Sequence, residues 1–451
     1  MPNKKFPLAW VNGIPSPSPA EFESRREQLF STLPDNSAVV LLAAPELLRN
    51  GYDNTYTFRQ NSDLLYLTGF PEANAALVMT KKKGRRKFVL FVSRQDKNSE
   101  LWHGKRIGVE GAVSSYGADQ AFSITTIGGN LRRLLQGVEH VYFSDSPSPM
   151  SDLTLQGKVK DVFARLTVTP TASVDSLVSE LRLIKSEGEI AIMHRSAEIA
   201  AAAHTTAMTR CKPGMLESEL KAVIEFIFTS NGNASPSYDT IVAGGANGLS
   251  LHHPAAATIL EDGHLVLVDA GCELAGYASD ITRTFPVNGR FSQAQKEIYE
   301  VVLAAQMAAV AAVKPGANMG DLDKICSDLL KSGLKSLGFK LDGKGKNALR
   351  LGDLFPHGLG HWLGLDVHDV GLDRIKGARG KKTERPLVPG MVTTIEPGLY
   401  LSLTDKRIPE QYRGIAIRIE DDVLVTHKGH FVLSAGVVKS VAEIEALMAH
   451  A

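Results

Sequence analysis

Four acidic residues and one histidine in the last two-fifths of the chain have the types and contexts that suit metal binding. Each lies in or beside a short apolar run flanked by glycine or proline: Asp269, Asp280, His361, Glu396 and Glu420. Four carboxylates crowded into one pocket cannot all stay ionised without compensating positive charge. Oxygen ligands with one imidazole suit manganese, cobalt, zinc or magnesium rather than a thiolate-bound metal. The set therefore points to a two-metal hydrolytic centre.

Asp269 and Asp280 are expected to lie on neighbouring strands. HLVLVDAG reads as a strand that ends at Asp269, and YASDITRTFPV reads as the strand that returns beside it, with Gly271 and Gly276 in the connection. Cross-strand neighbours lie about 5 Å apart, close enough for a carboxylate to bridge two metal ions.

Glu396 and Glu420 are predicted at the centres of two further strands that pair through a polar loop. In GIAIRIED the alternation places three isoleucines on one face and Arg418 with Glu420 on the other. Taken alone, each acid is more often a solvated surface charge than a ligand. The joint pattern with the histidine segment outweighs that alternative.

The segment HGLGHWLGLDVHDVG contains His357, His361 and His368. The first two have the spacing of the helical HExxH zinc motif, but Gly358 and Gly360 oppose a helix and no glutamate follows the first histidine. A mixed turn and strand is expected, with His361 as the ligand and the others as polar site residues. For His357 a purely structural role stays open.

Composition is that of a soluble globular protein. The 451 residues are 43% hydrophobic and 22% charged, with a formal net charge of +1, so no global field favours nucleic acid or an acidic membrane. No stretch reaches the roughly 18 apolar residues of a membrane span. Cys211, Cys272 and Cys326 form no CxxC pair and are expected to be reduced thiols, which indicates a cytoplasmic protein.

Residues 1–175 are predicted to form an N-terminal α/β domain. A first helix is expected over residues 18–35, followed by strand-like runs at SAVVLLAA, DLLYLTGF, AALVMT, KFVLFVS and HVYFS that alternate with helical stretches. No glycine-rich phosphate loop follows any of these strands. The segment LTVTPTASVDS marks the boundary.

Residues 176–451 are predicted to form an α+β catalytic domain with a mainly antiparallel sheet. Ser186 and Glu189 fit a capping box at the start of a long helix that ends at Met208. Further helices are expected over residues 216–231, 292–313 and 319–337, and the one over 292–313 opens with a second capping box. Every candidate ligand lies in the strand-like segments between and after these helices.

The ordered set Asp-Asp-His-Glu-Glu, in these contexts, resembles the pita-bread metallopeptidases, and most of all aminopeptidase P. The likeness extends along nearly the whole chain through RQNSDLLYLTGF, ELWHGKR, PSYDTIV, LVDAGCELAGYASDITRTFPVNG, HWLGLDVHDVG, IEPGLY and QYRGIAIRIEDD. It implies a creatinase-like N-terminal α/β domain followed by a pita-bread catalytic domain.

By this resemblance the chain would bind two divalent ions, manganese first and cobalt or zinc as alternatives. Asp269, Asp280 and Glu420 would hold one ion. Asp280, His361, Glu396 and Glu420 would hold the other, so that Asp280 and Glu420 bridge the pair. A hydroxide between the ions would hydrolyse the bond between the first residue of a peptide and a proline in the second position.

The resemblance also implies roles for residues around the metals. His252 would contact the substrate, although the adjacent His253 departs from the aromatic expected there. His368 would stabilise the tetrahedral intermediate, and His357 would line the pocket for the proline. Glu396 would carry the proton to the leaving nitrogen. Tyr238 and Arg418 would flank the metal ligands without contacting the metals directly.

Partners and rival functions follow from the same resemblance. A homo-oligomer, dimer or tetramer, is implied, in which Trp102 and Asp63 would reach a catalytic centre. Prolidase, which cleaves Xaa-Pro dipeptides, is the closest rival function. A pita-bread binding protein without catalysis and a metal-free amidinohydrolase of the creatinase kind are disfavoured because all five ligands are present. Two loops look longer than their bacterial counterparts, near residues 342–350 and 372–388.

Overall fold

The structure is a computed structural model that describes residues 9–11, 14–50, 54–144, 153–231, 234–341, 343, 345, 348–376 and 381–449. Within these ranges the chain divides into two compact units. One contains residues 17–182, and the other contains residues 183–449 together with a short segment before residue 17.

The N-terminal unit is an α/β structure built on a mixed five-stranded sheet. Two short strands, β1 (Ala9–Val11) and β2 (Ile14–Ser16), precede this unit in the chain, and residues 10–11 and 14–16 belong to the other unit. The sheet strands are β3 (Ser37–Leu42), β6 (Ala76–Lys82), β7 (Arg85–Val92), β8 (Gln120–Ser123) and β9 (His140–Phe143), in the order β8-β7-β6-β3-β9. A small pair, β4 (Leu48–Asn50) and β5 (Asn54–Thr55), lies outside it. The helices are α1 (Pro19–Thr32), α2 (Ser62–Thr68), α3 (Lys97–His103), α4 (Gly108–Ser114), α5 (Ile127–Leu135), α6 (Leu153–Leu166) and α7 (Asp175–Leu183).

The core of this unit lies between one face of the sheet and two helices. Apolar side chains of the strands pack against those of α5 and α6, for example Val78 and Val89 with Leu131 and Val159, all fully buried. Burial of these branched residues on a pleated surface is the main stabilising contribution of the domain.

One N-terminal prediction is wrong. DLLYLTGF was expected to be a strand, but Ser62–Thr68 form α2. The Asn61 side chain accepts a hydrogen bond from the amide of Leu64, and Gly69 ends the helix with a φ of 67°. A short apolar run suits a buried helix as well as a strand, and here the two capping residues decide. The first helix and the other four strands are confirmed, with bounds shifted by a few residues.

The division between the units falls after Arg182, whereas the predicted boundary at residue 175 coincides with the start of α7. Helix α7 stays with the N-terminal unit because Arg182 forms an ion pair with Asp63 at 2.7 Å. The carbonyl of Leu181 also accepts a hydrogen bond from the Tyr66 hydroxyl.

The C-terminal unit combines long helices with several short antiparallel sheets. Its helices are α8 (Glu187–Arg210), α9 (Glu217–Ser230), α10 (Gln293–Ala312), α11 (Met319–Ser336), α12 (Leu351–Leu354) and α13 (Val441–Ala449). The predicted capping boxes at Ser186–Glu189 and Ser292–Gln295 are both present. Within the described chain, no helix has the length and apolar character needed to cross a membrane.

Two three-stranded sheets carry the candidate ligands. The first has the order β11 (Ile241–Gly244), β12 (Leu265–Asp269), β15 (Thr282–Pro286), and the second β18 (Val392–Ile395), β21 (Asp421–Val425), β22 (His430–Val432). Smaller groups are β10 (Ser235–Pro236) with β13 (Cys272–Leu274) and β14 (Tyr277–Ala278), β16 (Arg374–Lys376) with β17 (Lys382–Glu384), and β19 (Gly398–Tyr400) with β20 (Ala416–Arg418). Every pairing in this unit is antiparallel among the described strands.

The two loops predicted to be long are described only in part. Outside the described residues lie 342, 344 and 346–347 of the first loop and 377–380 of the second. The described part of the second loop contains the hairpin of β16 and β17.

Candidate metal centre

Asp269 and Asp280 lie on the predicted hairpin. Asp269 is the last residue of β12 and pairs with Thr282 of β15, while Asp280 stands two residues before that strand. The connection folds back as the smaller hairpin of β13 and β14. At Gly271 the backbones approach so closely that a Cβ atom would lie 1.8 Å from the carbonyl oxygen of Ser279.

Glu396 and Glu420 stand at strand breaks rather than at strand centres, which corrects the prediction. Glu396 follows β18 and precedes β19, whereas Glu420 stands between β20 and β21. Because β18 pairs with β21 and β19 with β20, both breaks occur at the same level of the ladder. Each glutamate amide bonds outside its own strand pair, to the carbonyls of Leu359 and Thr282 respectively. The breaks turn both side chains toward one point.

His361 lies beside β18 in a segment without helix, as predicted. Its amide donates to the Thr394 hydroxyl at 3.0 Å, and its carbonyl accepts the Thr394 amide at 2.9 Å. The Nδ1 atom lies 3.0 Å from the carbonyl oxygen of Trp362. A proton held there leaves Nε2 free for a metal, the usual arrangement of a ligating histidine.

The donor atoms of Asp280, His361, Glu396 and Glu420 converge, and Asp269 is linked to them through a tyrosine. His361 Nε2 lies 3.5 Å from Oδ2 of Asp280 and 3.5 Å from Oε1 of Glu396. One donor atom from each of Asp280, His361 and Glu420 lies within 4.8 Å of the others. Asp269 is joined to Asp280 through the hydroxyl of Tyr238, which lies 2.5 Å from Oδ1 of each.

Electrostatics favour a cation at this place. Burial, then the neighbouring negative charges, raises the pKa of Asp280 and of Glu420. Burial also raises the pKa of Glu396 to about 8. Burial opposes a charged His361, but its hydrogen bond to Asp280 and the adjacent carboxylates outweigh this and raise its pKa to about 9. The cluster would therefore retain protons that a divalent ion can replace, so the donor set fits metal binding.

Arg418 and Thr282 contact candidate ligands from behind, and Tyr400 contacts Arg418. The Arg418 guanidinium donates to Oδ2 of Asp269 at 2.6 Å, to the Tyr400 hydroxyl at 2.7 Å and to the Thr282 hydroxyl at 3.1 Å. The Thr282 hydroxyl in turn donates to Oε2 of Glu420 at 2.7 Å. Tyr238 and Arg418, the two positions predicted to flank the ligands, thus form hydrogen bonds with Asp269, and Tyr238 also with Asp280.

The remaining histidines lie around the open side of the cluster. The His368 ring stacks on the His361 ring at a centroid distance of 4.0 Å. His357 Nε2 lies 2.9 Å from the Tyr400 hydroxyl, and its Nδ1 lies 3.7 Å from Oε2 of Glu396. His252 is exposed, and its charge contributes, after burial, to the lowered pKa of both His357 and His368.

Trp102 and Asp63 belong to the N-terminal unit. Trp102 is 80% exposed on α3. The Asp63 carboxylate is engaged by Arg182 within its own unit. Cys272 is fully buried, and burial raises the pKa of its thiol to about 12.

Three residues were missed by the sequence analysis: Thr282 and Asp422, which contact candidate ligands directly, and Tyr400, which contacts Arg418 and His357. Both carboxylate oxygens of Asp422 lie within 3.2 Å of the backbone amide of Asp280, 142 positions away. Local spacing carries no signal for such a contact. Tyr400 stands on the strand that follows Glu396, which was the one available hint.

The chain matches known families and proteins along most of its length. Residues 191–427 match the model of metallopeptidase family M24, and residues 22–142 match that of the aminopeptidase P N-terminal domain. The chain is 43% identical to the Xaa-Pro aminopeptidase of Escherichia coli, over 95% of this chain and 97% of that protein. It is 34% identical to human Xaa-Pro aminopeptidase 3, over 97% and 87%.

Solved structures are similar along the whole chain. Proline aminopeptidase P II from Yersinia pestis matches with a TM-score of 0.88 at 39% identity, over 96% of this chain and all of that one. Zinc-substituted E. coli aminopeptidase P in complex with product also gives 0.88, at 41% identity over 98% and 99%. The predicted pita-bread catalytic domain with its α/β N-terminal domain is confirmed, and the chain belongs to metallopeptidase family M24.

Proposed function

We propose that the chain is a metal-dependent aminopeptidase that releases the first residue of peptides with proline in the second position. The observation that carries this proposal is the convergence of four candidate ligands, with Asp269 joined to them through Tyr238, in a chain 43% identical to an Xaa-Pro aminopeptidase. A pita-bread protein that only binds partners would not need this set.

Two ions are assigned to the five ligands. Asp269, Asp280 and Glu420 would hold one ion, and Asp280, His361, Glu396 and Glu420 the other. Ions bound there would supply Lewis-acid activation of a water and of the scissile carbonyl. Manganese is proposed as the native metal, since oxygen-rich sites suit it.

Glu396 is proposed as the residue that moves the proton. Its side chain is 17% exposed, whereas Glu420 is buried, so Glu396 faces the side from which substrate and water arrive. The leaving nitrogen belongs to proline and has no hydrogen of its own in the peptide, so the protein must deliver one. A carboxylate that takes a proton from the attacking water can pass it to this nitrogen.

The histidines are proposed to hold the substrate. His368, stacked on His361, is suited to donate a hydrogen bond to the carbonyl oxygen as negative charge develops on it. His252 lies within electrostatic range of both His357 and His368 and would contact the same substrate. His357, packed edge-on against Phe355 and Tyr400, would line the apolar pocket for the proline ring.

A homo-oligomer is proposed as the assembled form. Leu101 and Trp102 are each 80% exposed on α3, and an exposed apolar pair of this kind favours coverage by another chain. Light scattering on the purified protein would give the mass. A monomer at micromolar concentration would overturn this part of the proposal.

The function is tested by hydrolysis of Arg-Pro-Pro and of Gly-Pro, after EDTA treatment and again after manganese is restored. Release of free arginine from the tripeptide, abolished by EDTA and recovered with manganese, is the expected result. Cleavage of Gly-Pro alone would identify a prolidase instead. Inactivity toward both, with metal bound, would overturn a peptidase function.

A further inference from the structure

The segment from His361 to Asp369 turns back on itself and carries two histidines of the candidate centre. Its first limb (residues 361–363) contains His361, and its second limb (residues 367–369) contains His368. The first limb lies beside β18: Leu363 donates to the carbonyl of Val392 at 3.1 Å, and Trp362 forms a bridge with Thr393. His361 is therefore held by the backbone of a strand.

The second limb returns with His368 and is joined to the first through Asp369. The Asp369 amide donates to the carbonyl of Trp362 at 2.8 Å. Its side chain turns inward, where Oδ2 lies 2.9 Å from Nζ of Lys185. Both side chains of this ion pair are only 1% exposed. The residue next to His368 is thus held by a buried charge from outside the segment.

The turn between the limbs is packed around this ion pair. At Gly364 a Cβ atom would lie 2.2 Å from Oδ2 of Asp369 and 2.9 Å from Cε of Lys185. Only a residue without a side chain leaves room for the pair. The Gly364 amide also donates to the carbonyl of Asp366 at 3.1 Å, which closes the turn.

Lys185 is itself fixed by the backbone on both sides. Its amide donates to the carbonyl of Gly390 at 2.8 Å, and the Gly390 amide donates to Val425 of β21 at 3.0 Å. The next residue, Ser186, caps α8. The ammonium group therefore projects from a rigid point into the turn.

We propose that Lys185 is a positioning residue that acts through Asp369 to hold the His368 ring against His361. A buried ion pair is a poor source of net stability compared with apolar side chains of equal volume, but it sets one distance and direction between two chain segments. This inference rests on the proposed role of His368 at the substrate carbonyl.

The test compares Lys185→Met and Lys185→Arg with the wild type, and Arg25→Met as a matched control. Arg25 forms a similarly buried ion pair with Glu21 in the N-terminal unit, at 2.7 Å. For Lys185→Met we expect kcat to fall by roughly 100-fold, because a distant mutation that displaces a group at the reaction centre by about 1 Å has an effect of this size. KM and bound manganese should stay near wild type, and Lys185→Arg should recover part of kcat.

Loss of both kcat and bound manganese would show that the ion pair supports the first limb, which carries the candidate ligand His361. That result would overturn the inference. So would an unchanged kcat in the folded variant. If Lys185→Met does not fold, Asp369→Asn replaces it, since the amide keeps the shape and removes the charge.

A double-mutant cycle with His368→Ala completes the design. If Lys185 acts through His368, Lys185→Met should have little further effect on kcat in the His368→Ala background. An equal loss in both backgrounds would overturn the inference and leave the proposed function intact. Full kcat in His368→Ala alone would instead overturn the role proposed for that histidine.

Discussion

Arg418 and Asp269 form a buried ion pair, 2.6 Å long, at the back of the candidate metal centre. The arginine offers a planar fork that also reaches Tyr400 and Thr282. Burial opposes its charge, but the neighbouring Tyr400 and the carboxylates raise the pKa of Arg418 well above its usual value. A permanent cation thus orients one ligand and balances part of the carboxylate charge.

Replacing Arg418 by methionine should lower kcat/KM or manganese affinity by about 10- to 100-fold, as expected for residues that orient metal ligands. Arg418→Lys keeps the charge but loses the planar fork of donors. Its kcat/KM and manganese affinity should therefore lie between those of the wild type and those of Arg418→Met. Isothermal titration with manganese and steady-state kinetics would measure both quantities. The exposed Arg290 offers a control, since Arg290→Met should match wild type. Unchanged metal affinity and kinetics in Arg418→Met would contradict the assignment.

Metal removal should make stability fall as pH rises. In the metal-free protein the pKa of Glu396 is raised to about 8 and that of His361 to about 9. Both values exceed those of the unfolded chain, near 4.3 and 6.5. The folded state then binds more protons than the unfolded state, so its stability decreases between about pH 4.5 and 9, by at most about 1.4 kcal/mol per pH unit for each proton.

The metal-loaded protein should not lose stability with rising pH in this way, because its ligands are already deprotonated. Urea unfolding of both forms between pH 5 and 9 gives the comparison. The difference in free energy of unfolding should widen with pH. A constant difference would mean that these protons do not bind where the geometry indicates.

His204 should add acid sensitivity that does not depend on metal. It is fully buried on α8, and its Nε2 lies 3.0 Å from the carbonyl oxygen of Ala270, next to Asp269. Burial lowers the pKa of His204 to about 4. Since the unfolded chain takes up this proton near pH 6.5, stability is complete above that pH and falls toward pH 4, by up to about 3 kcal/mol.

His204→Gln keeps a donor for the Ala270 carbonyl but does not titrate. Its free energy of unfolding should therefore vary less between pH 6.5 and 4 than that of the wild type. Equal slopes in the two proteins would show that this histidine is protonated in the folded state.

Gly271→Ala should destabilise the hairpin that carries Asp269 and Asp280. The added methyl group would collide with the backbone of Ser279, which cannot move aside as a side chain can. We expect a loss of about 3 kcal/mol or more in unfolding free energy, with weaker metal binding. Gly429→Ala is the control, because nothing lies within 4 Å of its Cβ position. Similar melting temperatures for the two variants would contradict this account.

Much of the centre could be predicted from local sequence because its parts are local. Asp269 ends a regular apolar strand, Gly271 permits the tight return, and Asp280 follows within the same hairpin. The capping boxes at Ser186 and Ser292 are likewise readable from four consecutive residues. Hairpins and helix caps involve residues that are close together in the chain, so the local sequence pattern is enough to predict them.

The prediction for Ser62–Thr68 failed for a related reason. A seven-residue apolar run does not distinguish helix from strand, and only the capping by Asn61 and Gly69 decides. Similarly, alternation in the two glutamate segments indicated continuous strands. The structure breaks both at the same level of their ladder, where the amides of Glu396 and Glu420 bond to the carbonyls of Leu359 and Thr282 instead of to each other's strand.

The chain sequence alone determined the types and order of the candidate ligands, the hairpin of Asp269 and Asp280 and the two-domain organisation. The tertiary structure alone decided which atoms meet: the breaks that aim Glu396 and Glu420 at one point, the Asp422 contact to the Asp280 amide, and the Lys185–Asp369 pair behind His368. These contacts join residues more than 20 positions apart. Their distances depend on packing of whole elements, which no local periodicity records.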